Sequence, residues 1–387
     1  MREPVILSET AMKGTFVGRV WRDDVGGPSL VVLREGRLID VTCRAFPTMR
    51  DLLETDDPAA AVKAAEGDDL GPLDAFSNAG GEPCAEGMHL LAPSDLQAVK
   101  ACGVTFARSM IERVIEEKAA GDPALALSIR ERVSGIIGDS LRDLKAGSDD
   151  ASKVKAALIE EGVWSQYLEV GIGPDAEVFS KCQPMASVGW GAEIGLHPKS
   201  KWNNPEPEVV LAVDSRGRTL GATLGNDVNL RDFEGRSALL LSKAKDNNAS
   251  SAIGPFVRLF DETFGINDVR AAELDLVVEG EDGYRLEGHS SMAEISRDPL
   301  DLVAQTIGRH HQYPDGFMLY LGTLFAPVED RDVAGQGFTH HAGDRVSIST
   351  PALGTLTNTV RLSTECPEWH FGAGALMRNL AARGLLG

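Results

Sequence analysis

The stretch PEPEVVLAVDSRGRTLGATLGND, residues 205–227, decides how the chain is read. Glu206 and Glu208 stand two apart at the head of an apolar, β-branched run, Val209 to Val213. Side chains two apart on a strand leave from the same face, so both carboxylates project together. Ser215-Arg216-Gly217-Arg218 has the composition of a tight hairpin turn, and Thr219 to Leu224 reads as the returning strand. Folding the hairpin about Arg216-Gly217 sets Asp227 opposite Glu206, within roughly 5 Å between Cα atoms. Three acids that close repel one another unless positive charge stands between them, and a hard divalent cation with oxygen ligands meets that need. Spacing alone leaves a second reading open, in which the three are solvated acids on an exposed hairpin face. Pro205 and Pro207 favour the site. Pro207 cannot donate to a sheet ladder, which argues against an ordinary central strand starting there.

Working outward, 387 residues suffice for two domains, or for one large domain with a small one attached. A 43% hydrophobic content is that of a globular protein with a sizeable core. The net charge of −20 argues against nucleic acid or an anionic membrane as partner. It also means that an anionic substrate needs local basic groups or a metal to capture it. Five widely spread cysteines without a CxxC pair indicate reduced thiols, hence a cytoplasmic setting. The sequence starts without a signal-peptide pattern and holds no apolar run near the ~18 residues of a membrane helix.

Residues 1–92 read as a small leading α/β domain: a hairpin through Val31–Leu33 and Leu38–Val41, then short helices at 49–53 and 58–65. Ser94 is a plausible helix cap, and 110–120, 123–143 and 151–168 carry apolar residues at helical spacing. Further on come a strand at 273–278, a helix at 299–307 capped by Ser296, and strands at 317–321 and 345–349. Many short strands with few helices indicate a mixed or antiparallel sheet wrapped on itself.

Taken in order, these pieces resemble the fumarylacetoacetate hydrolase superfamily. PEPEVVLAV is similar to its E-x-E metal strand and TLGNDVNLRD to its GNDVSARD segment. Lys245, nine residues before Gly254-Pro255, stands where the family has an active-site lysine ahead of an IGP turn. Val178-Phe179-Ser180-Lys181 matches an F-x-K element, and Gly322-Thr323 stands where the family has a Gly-Thr-Pro loop. HHAGDRVSISTPALGTLTNTV is similar to its C-terminal signature. The resemblance implies an α+β fold, a mixed β-sandwich roll over 93–387 with the small N-terminal domain and inserted helices. It implies a Mg²⁺ or Mn²⁺ site from Glu206, Glu208 and Asp227, gripping a small-molecule 2-oxo acid through its carboxylate and keto oxygens. Lys245 then adds charge beside the reacting carbon or serves as base, Lys181 and Thr323 face the substrate, and the assembly is a homodimer or homotetramer. Ser290 and Ser291, in EGHSSMAE, are further candidate substrate contacts.

One departure from the family is informative. Family hydrolases carry N-Y-x-x-H-x-x-E, whose His and Glu activate water; here the stretch is VTFARSMIER. Phe106 takes the Tyr place, Ser109 the His place, and Glu112 keeps the Glu. Serine does not accept a proton near neutral pH as imidazole does. This feature, with the longer stretch from about 113 to 170, resembles the branch that dehydrates 2-keto-3-deoxy sugar acids, in which an R-S pair contacts substrate. The resemblance places Arg108 on a hydroxyl or the carboxylate and Ser109 on a substrate oxygen. A purely structural Arg108, capping a helix or pairing with an acid, is the plain alternative. The expected reaction takes 2-keto-3-deoxypentonate to 2,5-dioxopentanoate in oxidative pentose catabolism, with Lys245 or Glu112 as base and Glu112 or Glu116 as acid. The runner-up is a hydrolase of an acylpyruvate or 2,4-diketo-3-deoxy sugar acid, with Glu112 or His197 orienting water. A related lyase and a silent binding protein complete the alternatives; the three intact carboxylates count against the last.

Overall fold

Val209–Val213 and Phe317–Tyr320 are apolar at nearly every position, as strands covered on both faces must be. Both lie in the middle of a large sheet. The computed structural model describes residues 7, 11–76, 88–120, 122, 125–126, 144–160, 162, 164–323, 325, 327, 329–334 and 337–386. Its strands are β1 (Phe16–Arg22), β2 (Gly27–Arg34), β3 (Arg37–Asp40), β4 (Asp68–Pro72), β5 (His89–Leu91) and β6 (Ala98–Gly103). There follow β7 (Glu177–Cys182), β8 (Glu193–Leu196), β9 (Pro207–Val213), β10 (Thr219–Asp227) and β11 (Ser251–Leu259). The last are β12 (Glu273–Glu279), β13 (Arg285–Ser291), β14 (Phe317–Tyr320), β15 (Arg345–Thr350) and β16 (Gly354–Leu362).

Eleven strands form one sheet in the order β4-β3-β2-β1-β11-β10-β9-β14-β6-β7, with β5 also on β1; five form the other, β13-β12-β15-β16-β8. Neighbours run antiparallel except β14 with β6 and β16 with β8, so both sheets are mixed. The two face each other. Leu274, Leu276, Val346, Ile348 and Leu356 of the smaller sheet share a core with Val209, Leu211, Val213 and Leu224 of the larger. The opposite face of the larger sheet, with Val210, Ala212, Val257 and Met318, is covered by Met49, Leu52, Leu53 and Val62 from two short N-terminal helices. Each such aliphatic side chain contributes about 1.5–3 kcal/mol on burial. The expected α+β sandwich is therefore the observed fold. β1 pairs with β11, Val17 opposite Val257, so the leading segment extends the same sheet.

Four local expectations change. Pro207 does start a central strand; it is the first ladder residue, where a proline is tolerated. Ser94 starts no helix but precedes β6. The helix Pro299–Thr306 is capped by Asp298, which accepts from the Leu300 N–H, whereas the Ser296 hydroxyl donates to the Thr105 carbonyl. The helical reading of 110–168 resolves into Ala107–Lys118, Asp149–Glu160 and Gln166–Ile172, and 123–143 lies outside the described residues apart from 125 and 126. No described helix is long and apolar enough to cross a membrane.

Candidate active site

The β9–β10 hairpin builds the centre. Its turn is set by Asp214, whose carboxylate accepts from the backbone N–H of Arg216 (3.0 Å) and Arg218 (2.8 Å) and from the Nε of both. Gly217, at φ 79°, supplies the left-handed step. At the other end, the Asp227 N–H donates to the Glu206 carbonyl (3.1 Å) and the Glu206 N–H to Asn226 Oδ1 (3.1 Å). Gly225 lies against Tyr320, since a Cβ there would stand 2.3 Å from the ring. This register brings one carboxylate oxygen each from Glu206, Glu208 and Asp227 within 4.8 Å of one another. All three side chains are buried. The exposed-hairpin reading is excluded.

Three basic groups answer these acids. Lys245 Nζ lies 2.5 Å from Glu206 Oε2 and 2.9 Å from Asp227 Oδ2. Lys181 Nζ lies 2.9 Å from Asp227 Oδ1, donates to the Lys245 carbonyl, and is fully buried. Arg113 Nη2 pairs with Glu206 Oε1 and Arg113 Nη1 with Glu234 Oε2 at 3.0 Å. Burial alone would lower the Lys245 ammonium, but the charges of Asp227 and Glu206 outweigh it and hold it above the usual lysine range. Burial likewise opposes ionisation of Asp227, and Lys181 and Lys245 overcome it, holding the carboxyl low. Glu208 is different. Burial, then the charges of Asp227 and Glu206, push it well above the carboxylate range, and among the described residues its one hydrogen bond is from the Gly322 N–H at 2.7 Å.

The three acids, Lys245 and Arg113 line a cavity of about 20 Å³, space for one water- or ion-sized occupant; Lys181 does not line it, being sealed behind Asp227 rather than facing a substrate. Thr323 lines it too, its Oγ1 accepting from the Phe325 N–H at 3.1 Å. Ser291 does not: it ends an edge strand of the smaller sheet and donates to Glu273 at 2.6 Å. Glu112 is buried on the helix Ala107–Lys118 without lining the cavity. Arg108 and Ser109 occupy the first turn of that helix, and their side chains, with that of Glu116, lie outside the described residues. His197 packs on Phe233, ring centroids 5.1 Å apart, away from the cavity lining.

Sequence reasoning missed Arg113, Glu177 and Glu234, all of which line the cavity. Glu177 is pushed up to about 7, chiefly by burial and then by the charge of Glu234, against Arg113 and Lys245. Period two along β7 carries a signal, since Glu177, Phe179 and Lys181 share one strand face. Arg113 stands four residues after Ser109, hence on the same helix face. Glu234 stands two residues after the end of NLRD, in the short helix Arg231–Glu234.

Whether a divalent cation fits can be judged from Glu208. Among the described residues no basic side chain forms an ion pair with it, and its carboxyl is strained toward neutrality beside two other acids. The all-oxygen donor set of Glu206, Glu208 and Asp227 is the type that Mg²⁺ and Mn²⁺ take. The residues fit.

Fold and site define a mixed two-sheet α+β protein with a buried carboxylate–lysine centre. The chain belongs to the fumarylacetoacetate hydrolase family: the family model for the fumarylacetoacetate (FAA) hydrolase C-terminal region matches residues 155–361. It is 27% identical over 256 residues to a probable 2-keto-3-deoxyxylonate dehydratase of Haloferax volcanii, covering 66% of this chain and 84% of that protein. It is 28% identical over 228 residues to the 2-dehydro-3-deoxy-D-arabinonate dehydratase of Saccharolobus solfataricus, covering 59% and 70%. Among solved structures, the apo form of a 2-keto-3-deoxy-D-arabinonate dehydratase matches with a TM-score of 0.63 at 22% identity, over 90% of this chain and 99% of that one. The complex of such an enzyme with magnesium and 2,5-dioxopentanoate gives 0.62 at 21%, with the same coverage. At that identity the structural matches establish the shared fold.

Proposed function

We propose that this protein is a divalent-metal-dependent dehydratase of a 2-keto-3-deoxy sugar acid, converting 2-keto-3-deoxypentonate to 2,5-dioxopentanoate. The observation that carries the reading is the buried triad Glu206, Glu208 and Asp227 with Lys245 and Lys181 wedged against it. Support comes from the relatives named as dehydratases of such acids. A Mg²⁺ or Mn²⁺ held by the three carboxylates supplies the positive charge that makes the C3 hydrogen of a 2-oxo acid acidic.

The chain's own groups do the rest. Lys245, held protonated by its two acid neighbours, supplies fixed positive charge and hydrogen bonds beside the C2 oxygen as negative charge grows there. Glu177, poised at about 7, is the group suited to move a proton near neutral pH. It takes the C3 proton or delivers one to the C4 hydroxyl as that leaves. In the elimination the C3–H and C4–O bonds break, a C3=C4 double bond forms, and water departs. Two hydrogens then shift, from C5 and its hydroxyl to C3 and C4, leaving an aldehyde at C5. Arg108, Ser109 and Thr323 are proposed to position the sugar-acid oxygens.

The test pairs two substrates in the presence of Mg²⁺. Semialdehyde should form from 2-keto-3-deoxypentonate, chelation should abolish it, and an acylpyruvate should keep its absorbance. Cleavage of the acylpyruvate with the deoxy sugar acid untouched would replace this reading by the hydrolase.

A further inference from the structure

We infer that Arg113 is the internal counter-ion of the centre, holding Glu206 while no divalent cation is bound and passing wholly to Glu234 when one binds. This rests on the metal-dependent reading above. Both oxygens of Glu206 are engaged, Oε1 by Arg113 and Oε2 by Lys245. A cation shared by Glu206, Glu208 and Asp227 takes over the neutralisation of Glu206 and repels the basic groups already paired with it, so the one that can withdraw at least cost gives way.

The two are not equivalent. Among the described residues, both ion pairs of Lys245 are with members of the triad, Glu206 and Asp227. Were it displaced from both, a side chain only 3% exposed would be left charged without a carboxylate, which is costly in a buried setting. Arg113 also pairs with Glu234, outside the triad, and does so through its other terminal nitrogen at 3.0 Å. Arg113 can release Glu206 and keep a carboxylate outside the triad, whereas either carboxylate that Lys245 keeps is one the cation also claims.

The backbone that carries Arg113 has no need to move. Met110, Val114 and Ile115, on the same helix, are fully buried in a core with Leu168 and Ile172. The exchange is thus a side-chain event confined to the wall of the cavity. Arg113 and Glu234 both line it, so the exchange frees space directly beside Glu206. Binding of the cation and release of the arginine become one equilibrium, and Arg113 sets the affinity for the metal by competing for Glu206.

Mn²⁺ binding to the full chain, read by electron paramagnetic resonance titration, tests this together with thermal melts in chelator and in Mn²⁺. Arg113→Met should bind Mn²⁺ about tenfold tighter, a change equivalent to about 1.4 kcal/mol, and should melt lower in chelator while recovering in Mn²⁺. Glu234→Gln, which removes the refuge, should bind Mn²⁺ about tenfold more weakly. Arg113→Lys, which keeps the charge but loses the planar fork, should tighten binding less than Arg113→Met and guards against a misfolded methionine variant. Opposite signs for Arg113→Met and Glu234→Gln are the signature; a purely structural arginine would weaken binding in both. If wild type binds Mn²⁺ and Arg113→Met binds it equally or less well while Arg113→Lys shows no gain, the counter-ion role falls and the metal reading stands. If wild type binds neither Mn²⁺ nor Mg²⁺, both fall.

Discussion

Replacing Asp227 by asparagine removes the charge on which two buried lysines depend. Lys181 lies 2.9 Å from Asp227 Oδ1 and Lys245 2.9 Å from Oδ2. In the variant Lys245 keeps Glu206, but among the described residues Lys181 retains neutral acceptors alone, the carbonyls of Val228 and Lys245 and the Ser250 hydroxyl. Breaking one side of a buried ion pair costs about 3–5 kcal/mol. For 387 residues at about 2.1 cal/mol/K each, the unfolding entropy is about 0.8 kcal/mol/K, so Tm should fall by about 4–6 °C in chelator. Wild type at a Mg²⁺ concentration one hundred times Kd should gain about 2.7 kcal/mol, or about 3 °C. The variant should gain almost none. Melts of both proteins in chelator and in Mg²⁺ give the four numbers. An Asp227→Asn protein that melts within a degree of wild type in chelator would refute the charge balance drawn around Lys181, and one that still rises with Mg²⁺ would refute Asp227 as a ligand.

Glu177 sets a pH dependence. Its folded value of about 7 lies above the 4.5 of an exposed glutamate, so its contribution is fully present below about 4.5 and is lost as pH rises through about 7. The loss is on the order of 3 kcal/mol, and denaturant titrations in chelator should show it in wild type but not in Glu177→Gln. The same variant should lower kcat by at least about a hundredfold if Glu177 moves a substrate proton, as a rate assay with 2-keto-3-deoxypentonate will show. Gly225→Ala drives a methyl group into Tyr320 and Val210 and should cost about 1–3 kcal/mol in urea unfolding. Asp214→Ala strips two backbone and two arginine donors from the hairpin turn. It should lower stability by about 2–3 kcal/mol while leaving Mg²⁺ affinity unchanged in calorimetry.

The triad was legible because it obeys local rules. Glu206 and Glu208 follow strand alternation, and a tight turn, with a bulge between Thr219 and Gly221, carries the register to Asp227. Lys245 and Lys181 were reached only through family resemblance, since nothing in SKAK or VFSKC announces a buried ammonium. Arg113, Glu177 and Glu234 escaped because their meeting depends on where a helix and a strand far apart in sequence dock on the hairpin. Ser291 shows the converse: a serine in a polar, glycine-bearing stretch looks like a substrate contact, but strand pairing fixes it beside Glu273. Proline at 207 misled for a related reason. Its missing donor matters only inside a ladder, and Pro207 stands at the ladder's end.

The triad grows from β9 and β10, among the most deeply buried strands, whereas Arg113 rides on a helix packed in a separate cluster with Leu168 and Ile172. Substitution of Arg113 can therefore reshape the wall of the cavity while the anchoring acids stay where the sandwich holds them. Changes on the side of the helix that faces the cavity are expected to leave the sandwich folded, whereas changes at Met110, Val114 or Ile115 on its buried side are not.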